Sequence, residues 1–296
     1  MSSALDPAVV AAVGDLELAA RLIVEGLRAG EHRSPFHGFS HEFSQYRAYR
    51  PGDDLKYLDW KMLGRTDRLY TRQFRETTNM SVTLVIDASA SMGFPVTGVS
   101  KLRYAAVVAS AIAYLVVTAG DAVGLLSSGG AGLAYLPARG GRLHLGALLQ
   151  RLSHLEAAGR WEPPKVIGLA AERLRRRGLV LVLSDFYDDE DATFVALKRA
   201  AAVGHEVVIL HVVSREERDL PYDGAVAFDD LETGERRLVD AATVRDDYRA
   251  RMAAFCDGWR DRARRAGLDY VPLGTDVPPA RALRHYLLRR QGAVPA

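Results

Sequence analysis

The chain has 296 residues, and its 39 Lys and Arg against 37 Asp and Glu leave a net charge of only +2, so bulk electrostatics favour neither nucleic acid nor a membrane surface as partner. Apolar residues at 48% and charged residues at 26% are the balance of a globular chain long enough to bury a substantial core. A single cysteine, Cys256, excludes an internal disulfide and any multi-cysteine zinc or iron–sulfur centre, and is expected as a buried, inert thiol.

The opening MSSALDPAVVAAVGDLELAARL has no basic segment ahead of an apolar one and carries acids among its apolar residues, which is not the pattern of a signal peptide. No run reaches the ~18 uninterrupted apolar residues that a bilayer span requires. A soluble, cytoplasmic protein without a membrane span is expected. Asp15–Ala29 sets Leu16, Ala19, Ala20, Ile23, Val24 and Leu27 at helical spacing, which predicts an amphipathic helix docked on the main domain.

The stretch His32–Glu76 is irregular and polar, punctuated by Pro35, Gly38, Pro51, Gly52 and Gly64. Arg and aromatic residues interleave within QYRAYRPGDDLKYLDWKMLGRTDRLYTRQFRE, a pattern that also serves single-stranded nucleic acid. Eight Lys and Arg there face five Asp and Glu, however, and that near balance favours internal pairing, with Arg50 or Arg65 on Asp53, Asp54 or Asp59 and Trp60 buried. No nucleic-acid partner is expected. His32, His37 and His41 match no metal-ligand spacing and read as surface histidines.

Ser81–Met92, SVTLVIDASASM, is the stretch that organises the rest. Val82, Leu84, Val85 and Ile86 form an unbroken, mostly β-branched run, the mark of a strand covered on both faces. It ends on Asp87, and Asp-x-Ser-x-Ser follows with Ser89 and Ser91. Three oxygen-bearing side chains at a strand's carboxyl end suit a hard divalent cation such as Mg²⁺ and not zinc. The same residues also suit a local role, capping the next helix and satisfying a turn.

Leu102–Ala119 is apolar almost all round and predicts a deeply buried helix. Asp121–Ser127 and Gly132–Leu136 are short strands, and Leu143–Leu155 and Val166–Arg177 are helices. Leu179–Ser184 is a second unbroken apolar strand that runs into acid, with Asp185 followed by Phe186, Tyr187, Asp188, Asp189, Glu190 and Asp191. Ala192–Val203 is helical, Glu206–Val213 a third buried strand, and Ala225–Ala241 a hairpin turning at Glu232-Thr233-Gly234-Glu235. Val244–Ala266 predicts a long helix, Asp269–Leu273 a last strand and Pro279–Arg290 a closing helix. Alternating β and α units of this kind imply a doubly wound, mostly parallel sheet with right-handed crossovers.

Asp-x-Ser-x-Ser after the first strand of such a sheet, with Ser-Asp after a later one, resembles the von Willebrand factor A fold and its metal-ion-dependent adhesion site. With YRPGDDLKYLDW and LYTRQFRE upstream, the resemblance narrows to the bacterial family known as domain of unknown function fifty-eight and covers the chain from about Gly30 onward. It implies a family-specific, loop-rich extension with a helix over 1–79 and a von Willebrand factor A-like domain over 80–296. It also implies no enzymatic activity, and a protein partner: a MoxR-type AAA+ ATPase or its client, in assembling or activating other complexes.

Carried onto this sequence, Ser89 and Ser91 resemble the hydroxyl ligands, and Asp87 and Asp185 the carboxylates that hold metal-bound waters, so Mg²⁺ or Mn²⁺ is the implied cofactor. A complete site also has a threonine in the loop before the third main helix. That loop here is Gly159-Arg160-Trp161-Glu162-Pro163-Pro164-Lys165, without Thr or Ser, so an incomplete site is expected, with Lys165 setting a positive charge where a cation would sit. Asp87, Ser89, Ser91, Asp185 and Asp188 make up the expected partner-binding face.

The alternative is a Mg-dependent phosphoesterase or other hydrolase using Asp87 and Asp185. A haloacid-dehalogenase-type phosphatase needs a second aspartate two residues after the first, and Ser89 stands there instead. No nucleophile elbow, phosphate-binding loop or dinucleotide turn occurs where a strand meets a helix. A non-enzymatic adaptor is the expectation.

Overall fold

The structure is a computed structural model that describes residues 15–28, 43–48, 64, 69–74, 80–95, 97–130, 132–174, 177–231 and 234–290. In chain order the elements are α1 (Leu16–Arg28), β1 (Phe43–Ala48), β2 (Tyr70–Phe74), β3 (Ser81–Ala88), a 3₁₀ turn (Ala90–Gly93), α2 (Lys101–Thr118), β4 (Ala122–Gly129), β5 (Gly132–Arg139), α3 (Arg142–Ser153) and α4 (Pro163–Arg173). There follow β6 (Leu179–Ser184), α5 (Glu190–Ala202), β7 (Glu206–Val213), α6 (Arg215–Asp219), β8 (Ala225–Asp229), β9 (Arg236–Asp240), α7 (Ala241–Arg265), β10 (Asp269–Gly274) and α8 (Pro279–Arg290).

Six strands form the main sheet in the order β10-β7-β6-β3-β4-β5. All neighbours are parallel except β5, which runs antiparallel to β4 at one edge. An edge place explains how β5 accommodates Pro137, which has no N–H to give a further strand. The doubly wound, mostly parallel architecture implied by the sequence is therefore the one adopted. From β3 the chain steps to β4 on one side and later to β6 on the other, so the order reverses at the carboxyl ends of β3 and β6.

Strand alternation divides the core. Val82, Leu84 and Ile86 of β3 and Leu179, Leu181 and Leu183 of β6 face the layer of α1, α2, α3 and α8. Val85, Val180 and Val182 face the other layer, where Trp161, Ile167, Leu197 and Trp259 from α4, α5, α7 and their flanks fill the space. α2 is long and apolar enough to cross a membrane by length and composition, but it is mostly buried in the first of these layers. α1 packs on α2 and α8 as expected, with Leu16, Ile23 and Leu27 buried and the Arg284 guanidinium donating to the Gly26 carbonyl at 3.1 Å.

Several details depart from the sequence-based expectations. The block read as loop-rich carries an antiparallel strand pair, β1 with β2, in which Tyr46 stands opposite Arg72; Phe, Tyr and Thr at these positions favour a pleated strand over a loop. α6 went unpredicted because five residues give no readable period. The hairpin of β8 and β9 forms where expected, closed by Asp230 N–H on the Glu235 carbonyl at 2.8 Å. Cys256 is half-buried on α7 and not fully buried, and that burial raises its thiol pKa. The expectations for Trp60, for Arg50 and Arg65 with their acids, and for His32, His37 and His41 lie outside the described residues.

Candidate functional site

Alternation also aims the site. Ile86 pairs with Leu183 across β3 and β6, so one step further Asp87 and Ser184 emerge side by side. Ser184 Oγ donates to Asp87 Oδ2 at 2.5 Å, and the Ser89 N–H donates to Asp87 Oδ1 at 2.8 Å. Both carboxylate oxygens are thus engaged, and the residue is 1% exposed. Burial first, and then the charge of Asp185, raise the Asp87 carboxyl to about 7; the hydrogen bonds from Ser184 and Ser89 pull the other way without prevailing.

The 3₁₀ turn after β3 brings the two serines together, Ser89 Oγ lying 3.1 Å from Ser91 Oγ. Ser91 Oγ in turn donates to Asp185 Oδ2 at 2.8 Å. Asp87, Ser89, Ser91 and Asp185, named from the sequence, therefore converge in one cluster at the carboxyl edge of the sheet. Behind Asp185 the chain turns sharply, with Phe186 at φ 58°, a left-handed conformation a bulky side chain rarely adopts, held by its N–H on Ser184 Oγ at 2.9 Å. Asp188 is half-buried two residues further on; burial first, then Asp185, raise its carboxyl pKa, while Arg160 and the Trp161 N–H act against that.

Sequence reasoning missed the cation. Lys101 Nζ, from the first residue of α2, donates to Asp185 Oδ2 at 2.7 Å and also to Glu217 Oε1 on α6. Its ammonium stands 4.7 Å from the centre of the Tyr187 ring. Burial alone would lower the lysine pKa, but Asp185 and Glu217 outweigh it and the net direction is upward, so the group stays charged. Glu217 is itself fixed by a reciprocal capping box: its N–H donates to Ser214 Oγ at 3.1 Å, and its Oε2 accepts the Ser214 N–H at 3.0 Å. Two signals were legible: the Ser-x-x-Glu of Ser214 and Glu217 just after a strand, and a lysine opening an apolar helix, where the helix dipole disfavours positive charge.

The positive charge expected from Lys165 comes from Lys101 instead. Lys165 sits in the first turn of α4, its side chain 69% exposed and paired with Glu162 at 2.8 Å, because the helix buries Pro163, Val166, Ile167 and Ala170 and leaves the face of Lys165 to solvent. The loop that lacks threonine reaches the cluster by backbone. Ala90 N–H donates to the Gly159 carbonyl at 2.9 Å, and Ala158 N–H to the Ala88 carbonyl at 3.0 Å. Gly159 has φ 62°, and a Cβ there would meet Gly130 Cα at 2.8 Å, so this approach requires glycine.

The residues present do not fit a divalent cation. Asp185 Oδ2 is shared by an ammonium and a hydroxyl, Asp87 is turned inward, and no threonine joins the serines. An ion on Asp185 Oδ2 would lie within roughly 5 Å of Lys101 Nζ, where repulsion between a double and a single charge is on the order of 7 kcal/mol at an effective dielectric of about 20.

Beside the cluster lies an open cleft of about 700 Å³. Phe94, Tyr187, Leu220, Tyr222, Phe228 and Tyr248 give it aromatic and apolar walls, and Ser91 joins it to the cluster. Asp188, Glu216, Glu217, Asp229 and Asp230 line it against one guanidinium, Arg237.

A hydroxyl and carboxylate cluster at the switch point of a doubly wound sheet with one antiparallel edge strand defines an α/β domain of the von Willebrand factor A type. The chain belongs to the family described as "Protein of unknown function DUF58", which matches residues 45–255. "Uncharacterized protein Rv1480" of Mycobacterium tuberculosis is similar at 31% identity over 295 residues, 98% of this chain and 92% of that protein. Among solved structures, BatB from Bacteroides thetaiotaomicron aligns at 16% identity over 73% of this chain and 100% of its own, with TM-score 0.45. The SpRpn10 VWA domain aligns at 13% identity over 70% of this chain and 94% of its own, with TM-score 0.40.

Proposed function

We propose that this chain is a cytoplasmic, non-enzymatic adaptor that binds a protein partner in the cleft beside Ser91. The cleft itself carries the reading: it joins aromatic walls to an acidic rim of Asp188, Glu216 and Asp230, while Glu217 is held by Lys101 and Asp229 by Arg236, a surface that fits an apolar side chain flanked by Lys or Arg on a partner segment. The family resemblance supplies the partner class, a MoxR-type AAA+ ATPase or its client, with the adaptor acting in assembly or activation of a larger complex.

The phosphoesterase alternative draws no support from the geometry. It needs Asp87 free to attack a substrate, and that carboxylate is sealed beneath Ser89 and Ser184. Asp185, its second carboxylate, is held by Lys101 and Ser91.

Binding of a purified MoxR-type ATPase to immobilised full-length chain tests the proposal, comparing the native protein with Phe228→Ala and Asp188→Asn, the latter keeping an acceptor for the Trp161 N–H. The adaptor reading expects each variant to keep its thermal midpoint and lose about tenfold or more in affinity, the loss typical of an interface hot spot. Equal affinity in all three proteins would exclude the cleft as the docking surface. A Mg²⁺-dependent phosphatase activity that disappears in Asp87→Asn would instead favour the enzyme.

A further inference from the structure

We propose that the Lys101 ammonium is the resident cation of this site, occupying the electrostatic place of a divalent metal, and that the site works without one. The inference concerns the charge balance of the cluster and stands whether or not the cleft binds a partner.

The geometry gives the ammonium a complete set of neighbours. An ammonium has three N–H donors. Here it faces the Asp185 carboxylate at 2.7 Å, the Glu217 carboxylate, and the Tyr187 ring at 4.7 Å. Its side chain is 0% exposed, and that of Asp185 2%, so the charge is held inside the protein. A lysine placed this way is part of the fold and has no route to solvent that leaves its partners satisfied.

The same oxygen that meets Lys101 also accepts the Ser91 hydroxyl, so the ammonium is wired directly into the Asp-x-Ser-x-Ser turn. An adhesion-type metal would link the two serines to the acid of the later strand. In this chain the Ser89–Ser91–Asp185–Lys101 chain of contacts makes that link without an ion. It goes further, because Glu217 belongs to α6 and also lines the cleft. The ammonium thereby ties the turn after β3, the turn after β6 and the wall of the cleft to one charge.

The test is Mn²⁺ binding followed by paramagnetic resonance, on full-length protein stripped with EDTA. Native protein should leave the free-ion signal undiminished at millimolar Mn²⁺, and its thermal midpoint should be the same in Mg²⁺ and in EDTA. Lys101→Met exposes Asp185, Glu217 and Ser91 to an ion and should gain Mn²⁺ affinity by at least about tenfold, while Lys101→Arg, which keeps the charge, should gain none. Stoichiometric Mn²⁺ binding by native protein that Ser91→Ala abolishes would overturn the proposal. So would a folded Lys101→Met that remains blind to Mn²⁺. Should Lys101→Met fail to fold, the ammonium protons of native Lys101, slowed in exchange by burial, give the answer by nitrogen-15 resonance: a signal unchanged by Mn²⁺ supports the inference, and one broadened by it refutes it.

Discussion

Lys101 and Asp185 stand 84 positions apart in the chain and meet at 2.7 Å, with neither side chain in meaningful contact with water. The pair joins the start of α2 to the turn after β6, across the end of the sheet where the strand order reverses. Breaking such a pair leaves one charge buried without compensation, which is far costlier than losing a surface contact.

Lys101→Ala should therefore lower the unfolding free energy by about 3–5 kcal/mol near neutral pH. Lys165→Ala, which removes a lysine from a solvent-exposed pair with Glu162, should change it by less than about 1 kcal/mol. Urea unfolding of both variants checks the contrast.

The contribution of Glu217 is best isolated by a double-mutant cycle. Glu217→Gln keeps a side chain able to complete the capping box with Ser214 while discarding the charge that faces Lys101. Combined with Lys101→Met, its effect should fall short of the sum of the single changes by about 1–3 kcal/mol. Simple additivity would mean that the two groups do not act together.

Asp87 sets a pH dependence of definite sign. Its carboxyl is raised to about 7 in the folded protein, above the ~3.9 of an unfolded chain. Between those values the native state holds a proton that the unfolded state has released, so the stabilisation is fully present below the lower value and is lost as pH rises through about 7. Asp87→Asn never ionises and should exceed the native protein in stability by on the order of 2–4 kcal/mol at about pH 8, with little gain near pH 4. Urea midpoints at the two pH values decide it, and an equal shift at both would refute the assignment.

Close backbone approach beside the cluster predicts intolerance to a methyl group. At Gly129 a Cβ would stand 2.1 Å from the Ala88 carbonyl oxygen, and at Gly159 it would meet Gly130 Cα in a left-handed backbone. Gly129→Ala and Gly159→Ala should each cost about 1–3 kcal/mol or more, read from thermal midpoints.

Cys256 is half-buried, and its thiol is raised by that burial despite the nearby Arg260. Reaction of the native protein with a disulfide reagent at neutral pH should be at least about tenfold slower than that of the urea-unfolded chain. Equal rates would show that α7 exposes the thiol.

Much of this molecule was readable from local pattern. The mostly β-branched run at Val82–Ile86 and the unbroken apolar run at Leu179–Leu183, each followed by a helical period, dictate buried parallel strands, and two such strands ending on Asp87 and Asp185 mark the carboxyl edge as the site. Asp-x-Ser-x-Ser lies within a few residues, so sequence alone sufficed to bring Asp87, Ser89 and Ser91 together. What sequence left undecided was how the buried charge is balanced. Lys165, at the end of the loop that lacks threonine, was the lysine the site pattern pointed to, yet it turns to solvent with Glu162. The ammonium comes from Lys101, and its second acid, Glu217, lies 116 positions from it. Electrostatic pairing in a dry interior depends on distance through space, and only the packing of α2 and α6 over the ends of β3, β6 and β7 sets that distance.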